Sequence, residues 1–220
     1  MEYSIKEIAG IIGADAQKLY DAPVSILLTD SRRLSFPEQS LFFALQTKTN
    51  DGHNYIQGLY KLRVRNFVVS TFLPEFESMP EANFLVVKDT LKALQKLAAH
   101  HRKRFNIPVI GITGSNGKTI VKSSLSIIAQ RVQHRPLPPE LQLAIGVPLS
   151  VWQMSDKNTL GIFEAGISQP DEMERLQPII APTIGRNHKH RGSASGELYL
   201  FHAEMSRKAD VVQRLRSNHL

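Results

Sequence analysis

The sequence contains no cysteine. Disulfide scaffolds and thiolate metal sites are therefore excluded, and a reducing, cytoplasmic setting fits. It also lacks any apolar run approaching the ~18–20 residues of a membrane span, so no membrane insertion is expected. The opening stretch, MEYSIKEIAGIIGADAQ, carries charges inside its apolar pattern and has no small-residue cleavage site. A secretory signal is thereby excluded. Internal repeats are absent as well.

What is present is a chain of 220 residues, 42% hydrophobic, enough for one large or two small domains with a real core. The net charge of +7 is unevenly spread. Residues 186–220 hold seven Lys/Arg against three Asp/Glu, and 123–144 hold two Arg against one Glu. The rest of the chain carries only +2. The basic tail does not interleave its positives with aromatics on a recognisable module, so no nucleic-acid partner is expected. Its H-K-H run (188–190) has ligand types without a supporting constellation, and no metal is expected there.

Periodicity sets the fold class. SIKEIAGII (4–12) places Ile5, Ile8, Ile11 and Ile12 at helical spacing. LFFAL (41–45), FVV (67–69) and FLVVKD (84–89) read as buried strands. A helix beginning near His53 carries Ile56, Leu59 and Leu62. Asp89 is placed to N-cap a helix with Leu91, Leu94, Leu97 and Ala98 on its apolar side. That helix ends in HHRKRF (100–105), which reads as a solvated, basic helix end. VIGIT (109–113) and LGIFEAG (160–166) are further strands, and QPDEMERLQPII is helical from Asp171 to about Gln177. Alternation of strands and helices predicts an α/β fold with a mainly parallel sheet, divided near 100–107.

The strongest chemical signal is TGSNGKT, comprising Thr113, Gly114, Ser115, Asn116, Gly117, Lys118 and Thr119. Gly114 and Gly117 let several backbone N–H groups converge on one anion, and a following helix adds its positive end. Lys118 can reach between β- and γ-phosphates, and the Thr119 hydroxyl can ligate Mg2+. The usual phosphate loop needs a glycine where Ile112 stands, so the match rests on context: an apolar strand before it and a possible helix after. Glu164 ends the second apolar strand, where ligands of α/β sheets collect. It reads as a Mg2+ ligand beside the phosphates, or else as a surface carboxylate.

TGSNGKT followed by FEAGIS resembles the central ATPase domain of the Mur ligases. TDSRRL (29–34), LFFAL (41–45), NDGHNYI (50–56) and NFVVS (66–70) resemble the UDP-sugar-binding domain of the same family. The likeness covers about 1–122 and 145–185. It implies a small N-terminal UDP-muramoyl-peptide-binding α/β domain over 1–103. An incomplete P-loop-type ATP-binding domain would follow over 104–185, and then a tail over 186–220 foreign to the family. The implied reaction is ATP-dependent amide formation. ATP phosphorylates the carboxylate of a UDP-N-acetylmuramoyl-tripeptide, and the amine of D-alanyl-D-alanine attacks the acyl phosphate. The work is positioning and charge neutralisation. Lys118 and Glu164 would be catalytic, with Thr119 and Glu164 holding Mg2+. Ser31 and Arg32 match contacts to the uridine diphosphate, for which Arg32 is chemically apt, although a surface salt bridge would also explain it. Asn50, Asp51 and His53 could line the same pocket, and His53 reads equally as a helix-start residue. A cytoplasmic monomer is implied.

Departures from the family pattern concentrate in the two basic segments. The family has an Asn-containing segment before IGVP, an N-I-G-x-A-H motif after PTIG, a modified lysine and a third domain; this chain shows none of them. Residues 186–198 can be coded so that reading one base later gives G-I-T-N-I-G-E-A-H-Q-E-N-F, which contains the missing motif. Residues 134–144 behave in the same way. Both 123–144 and the tail are therefore read as out-of-frame translation of a truncated copy, inactive as a ligase. HRPLPPE (134–140) is expected not to continue a helix, and the tail to be disordered or loosely helical. The N-terminal domain is expected to fold alone and the central one to be unstable. The competing readings are a non-catalytic fragment that binds UDP-sugar or nucleotide, and a related folylpolyglutamate-type or cyanophycin-synthesising ligase. DSR and FFAL speak against the latter pair.

Overall fold

The computed structural model describes residues 2–16, 19–113, 139–164, 172–183 and 199–200. The phosphate loop from Gly114 to Thr119, most of 123–144 and most of the tail lie outside them. Within the described residues no helix is long and apolar enough to cross a membrane.

A short antiparallel pair, β1 (Tyr3–Ser4) and β2 (Pro23–Val24), flanks α1 (Ile5–Ile12). Ser4 caps α1 by accepting from the Glu7 N–H, and Gly13 closes it in the left-handed region at φ 70°. Four parallel strands follow in sequential order: β3 (Ile26–Leu28), β4 (Ser40–Phe43), β5 (Asn66–Val69) and β6 (Asn83–Val86). Parallel neighbours require crossovers. Between β4 and β5 the crossover is a 3-10 turn, Gly52–Tyr55, running into α2 (Ile56–Lys61). Every residue of β4 and β5 is buried, as expected of a sheet covered on both faces.

Alternation sorts the strand side chains between two cores. Phe42, Phe67, Val69 and Phe84 face α2 and the turn Pro74–Ser78, forming an aromatic stack with Phe76. Leu41, Phe43, Val68 and Leu85 face α1 and α3 (Thr90–Arg102). Asp89 caps α3 as expected, accepting from Lys92 N–H at 3.0 Å. The entering ends of the strands are locked by a polar ladder. Asn83 Nδ2 donates to Asn66 Oδ1 at 2.7 Å, and Asn66 Nδ2 to the Ser40 carbonyl at 3.3 Å.

The second sheet has the order β8–β7–β9, formed by β7 (Val109–Thr113), β8 (Gly161–Glu164) and β9 (Tyr199–Leu200). β7 and β8 are parallel; β9 is antiparallel to β7, so this part of the tail is a strand rather than helix or coil. α4 (Pro139–Trp152) and α5 (Glu172–Ile180) pack with α3 over it. Pro139 opens α4 as a new helix at the end of the string expected not to continue one. Proline is tolerated there because the first turn needs no N–H donor. Further along, Pro148 cannot donate to the carbonyl four residues back. That carbonyl, on Ala144, is satisfied instead by Gln95 Nε2 of α3 at 3.2 Å. α5 runs on through Pro178 to Ile180, three residues past the expected stop.

The basic end of α3 is the clearest correction. His101 and Arg102 are not solvated; they are 2% and 4% exposed. Arg102 donates from Nε to the Ile180 carbonyl (2.8 Å), from Nη2 to Ala181 (3.0 Å) and from Nη1 to Phe105 (2.7 Å). Its charge thus caps the negative end of α5. Among the described residues no carboxylate pairs with it, and burial holds its pKa below the ordinary arginine value. His101 lies between the Tyr3 hydroxyl (2.9 Å to Nδ1) and the Met154 carbonyl (3.1 Å to Nε2). A carbonyl only accepts, so Nε2 carries the proton and Nδ1 accepts from Tyr3. α3 therefore contributes to the cores beside both sheets.

Burial, above all, pushes the His101 pKa below the ordinary histidine range, with Arg104 and His100 adding repulsion and the Met154 carbonyl opposing. The folded state then binds fewer protons than the unfolded one in slightly acid solution. Stability is fully present above the ordinary histidine pKa and falls as pH drops from there towards the depressed folded value, by at most about 1.4 kcal/mol per pH unit. Urea midpoints measured between neutrality and mild acid should show this slope in the natural chain and a shallower one in His101→Gln. Equal slopes would remove His101 as the cause.

Candidate functional site

The four parallel strands deliver their carboxyl ends to one edge, and every N-terminal candidate residue lies there. Beyond β3, Asp30 N-caps the 3-10 turn Ser31–Arg33 by accepting from Arg32 N–H at 3.1 Å. Its carboxylate also grips the exposed Arg32 guanidinium, taking Nε at 2.7 Å on Oδ1 and Nη2 on Oδ2. Arg32 hydrogen bonding is the main reason the Asp30 carboxyl lies below the usual carboxylate range. The surface salt bridge entertained for Arg32 is therefore real, and it orients the guanidinium on an open surface. Ser31 is half-buried at the start of the turn.

Beyond β4, the chain folds back so that Gly52 N–H reaches the Leu45 carbonyl at 2.9 Å. Asp51 caps the turn Gly52–Tyr55, accepting from His53 N–H at 2.9 Å. It also takes His53 Nδ1 at 2.6 Å and Gln46 Nε2 at 3.0 Å. Burial works to raise the Asp51 carboxyl, but these hydrogen bonds from Gln46 and His53 outweigh it and the net shift is downward. His53 is buried. Its Nε2 receives the backbone N–H of Ser70, just past β5, at 3.1 Å. Exposed Asn50 accepts from the Tyr55 hydroxyl at 2.7 Å on Oδ1. Tyr55 in turn lies near enough to Arg32 to act on its charge. The structure thus gathers Ser31, Arg32, Asn50, Asp51 and His53 on one edge. It adds Asp30, Gln46, Tyr55 and Ser70, which the sequence reading did not single out. Asp30 had a signal, an Asx residue ahead of a turn; Ser70 had only its place after a strand.

In the second sheet, Thr113 is the last residue of β7 and leads directly into Gly114. Glu164 is the last residue of β8, in register with Ile112 of the adjoining parallel strand. The acid and the start of the glycine-rich loop therefore leave the same sheet edge on neighbouring strands, about 4.8 Å apart. The loop residues themselves, Lys118 and Thr119 included, lie outside the described residues. Among the described residues no group of three or more His, Cys, Asp or Glu could hold a metal.

No family model matches the chain. Comparison with curated proteins does find relatives. The UDP-N-acetylmuramoyl-tripeptide–D-alanyl-D-alanine ligase of Bacillus subtilis is 29% identical over 204 residues, spanning 88% of this chain and 44% of that protein. Its counterpart in Synechocystis is 34% identical over 168 residues, covering 75% and 36% respectively. That of Haemophilus influenzae is 30% identical over 195 residues, covering 83% and 40%. Among solved structures, the corresponding ligase of Acinetobacter baumannii superposes with a TM-score of 0.68 at 23% identity, over 83% of this chain and 40% of that one. The MurF ligase of Thermotoga maritima in complex with ADP gives 0.55 at 21% identity, over 72% and 36%. At such identities the structural likeness establishes the fold, while the curated relatives carry the lineage. The chain spans less than half the length of the curated relatives it matches. The sequence relatives and the shared fold agree, and the chain belongs to the Mur ligases of the MurF type.

Proposed function

We propose that this chain carries the substrate-binding and part of the ATP-binding machinery of a ligase that joins D-alanyl-D-alanine to UDP-N-acetylmuramoyl-tripeptide in peptidoglycan precursor synthesis. The observation that supports it most is the paired edge geometry. An arginine held open by Asp30 stands at one sheet edge, and at the other Thr113, which leads into the glycine-rich sequence, and Glu164 end neighbouring strands. On this reading 1–103 binds the UDP-muramoyl peptide and 104–185 contributes the ATP site, in a cytoplasmic monomer. Ser31 and Arg32 meet the diphosphate, with Asn50 beside them. Thr113, Gly114, Ser115, Asn116 and Gly117 cradle the ATP phosphates, and Lys118 stabilises the transferred phosphoryl group. Thr119 and Glu164 would hold Mg2+, whose charge would offset that of the phosphates.

Calorimetric titration of the chain with UDP tests the first half. Arg32→Ala should weaken UDP binding roughly tenfold or more, the usual scale for losing a charge-assisted contact to an anion. The melting temperature should hardly change, because this guanidinium is exposed. Unaltered UDP affinity in the variant would remove Arg32 from the site. Absence of UDP binding by the unaltered chain would remove the reading itself.

A further inference from the structure

We infer that Asp51 and His53 are positioning residues for a uridine-diphosphate ligand and do not themselves touch it. The inference rests on the UDP-binding reading above. Its basis is that the buried His53 ring has both nitrogens bonded inside the protein, and that the Asp51 carboxylate, although its side chain is 42% exposed, is turned into the protein by bonds from Gln46 and His53.

The backbone N–H of Ser70 can only donate, so His53 Nε2 must accept, and the ring proton must lie on Nδ1 facing Asp51. A ligand approaching Nε2 would have to displace a main-chain N–H from a ring whose side chain is only 5% exposed. Asp51 is more open but is oriented inward, receiving His53 N–H and Nδ1 on Oδ1 and Gln46 Nε2 on Oδ2. The pair forms one relay, from Gln46 through Asp51 and His53 to Ser70. It fastens the loop after β4 to the end of β5.

The relay leaves other groups facing outward. Asn50 precedes Asp51 on an exposed loop, and Tyr55 ends the turn that Asp51 caps. Tyr55 is 42% exposed while its hydroxyl donates to Asn50. A flat, half-open ring on the same carboxyl edge as the Arg32 guanidinium suits a nucleoside diphosphate. The ring offers a stacking face for the pyrimidine, and the guanidinium a fork for the phosphates. The Ser70 hydroxyl, half-buried and only 3.4 Å from Gln46 Oε1, borders the same edge. Displacing such groups by even an ångström costs binding without any contact being deleted.

The test uses the full chain and UDP as the titrated probe. His53→Gln keeps an acceptor for the Ser70 N–H, and is expected to bind UDP within about threefold of the unaltered chain. His53→Phe fills the ring's place without either bond, and should bind roughly tenfold more weakly or worse. Tyr55→Ala should weaken UDP binding with little change in melting temperature. Combining Asp51→Ala with His53→Ala should be no worse than the weaker single variant, because the two act as one unit. Binding by His53→Gln as weak as that of His53→Phe, or fully additive losses in the double variant, would overturn the inference. If His53→Phe does not fold, the Gln variant and the Asp51→Ala and His53→Ala pair still decide it. No UDP binding by the unaltered chain would defeat the underlying reading. Binding by that chain with no loss in His53→Phe would defeat this inference alone.

Discussion

Trp152→Ala is expected to destabilise the chain by about 4 kcal/mol, within the range for truncating a buried tryptophan. Trp152 is the last residue of α4, yet it lies in the core of the first sheet. Its ring stacks on Tyr3 with centroids 5.0 Å apart and lies 4.7 Å from the His101 ring. Its Nε1 donates to the Ser25 carbonyl at 2.8 Å. Removal leaves a cavity at the meeting point of α1, α3 and α4 and an unpaired carbonyl. Trp152→Phe keeps most of the ring volume and should recover all but the hydrogen bond, about 1 kcal/mol. Because this is the chain's single tryptophan, urea unfolding should be followed by circular dichroism. A loss below about 1 kcal/mol in Trp152→Ala would show that the two halves do not lean on this ring.

Gly52→Ala is the second large effect, expected near 3 kcal/mol, the upper end for overpacking. A Cβ at position 52 would lie 2.6 Å from the Leu45 nitrogen and 2.7 Å from the Ala44 Cα and carbonyl carbon. These are main-chain atoms of a segment already fixed by the Gly52 N–H to Leu45 bond, so they cannot yield as a flexible side-chain tip would. Asp51 and His53 flank the glycine, so the shift should reach the UDP edge as well. Two readings are wanted: a lowered melting temperature, and weaker UDP binding in whatever fraction remains folded. A variant that melts with the natural chain would mean that the turn relaxes at no cost.

Much of the scaffold was legible because it depends on local pattern. The helical spacing of Ile5, Ile8 and Ile12, the Asp89 cap and the buried runs that became β4, β5 and β6 are short-range properties, and the structure repeats them. Three features were not legible. The basic string at the end of α3 looked solvated because its partners, the carbonyls of Ile180 and Ala181, lie 78 and 79 residues away. α5 passes its expected end at Gln177 and runs through Pro178 to Ile180, where Arg102 caps it from a distant part of the chain. His53 could not be sorted between ligand contact and turn residue, since its second partner is a main-chain N–H 17 positions on. Ser31, Arg32, Asn50, Asp51 and His53 share one carboxyl edge because the parallel strands before them point the same way. The loop from Gly114 to Thr119 lies outside the described residues, so only its two flanks, Thr113 and Glu164, are placed.

The expectation that 1–103 folds alone meets a counter-observation, because Ile145 and Trp152 complete its core. The seam has a kinetic meaning too. Its bonds join residues 3 and 101, 25 and 152, and 102 and 180, separations of 98, 127 and 78 positions. Closing loops of that length comes late on a folding path whose sheet crossovers are comparatively local. Contacts made late are absent from the transition state, so weakening them accelerates unfolding and leaves the folding rate almost untouched. The lifetime of the native chain is therefore governed less by its sheets than by the few groups, Arg102, His101 and Trp152, that sew them together.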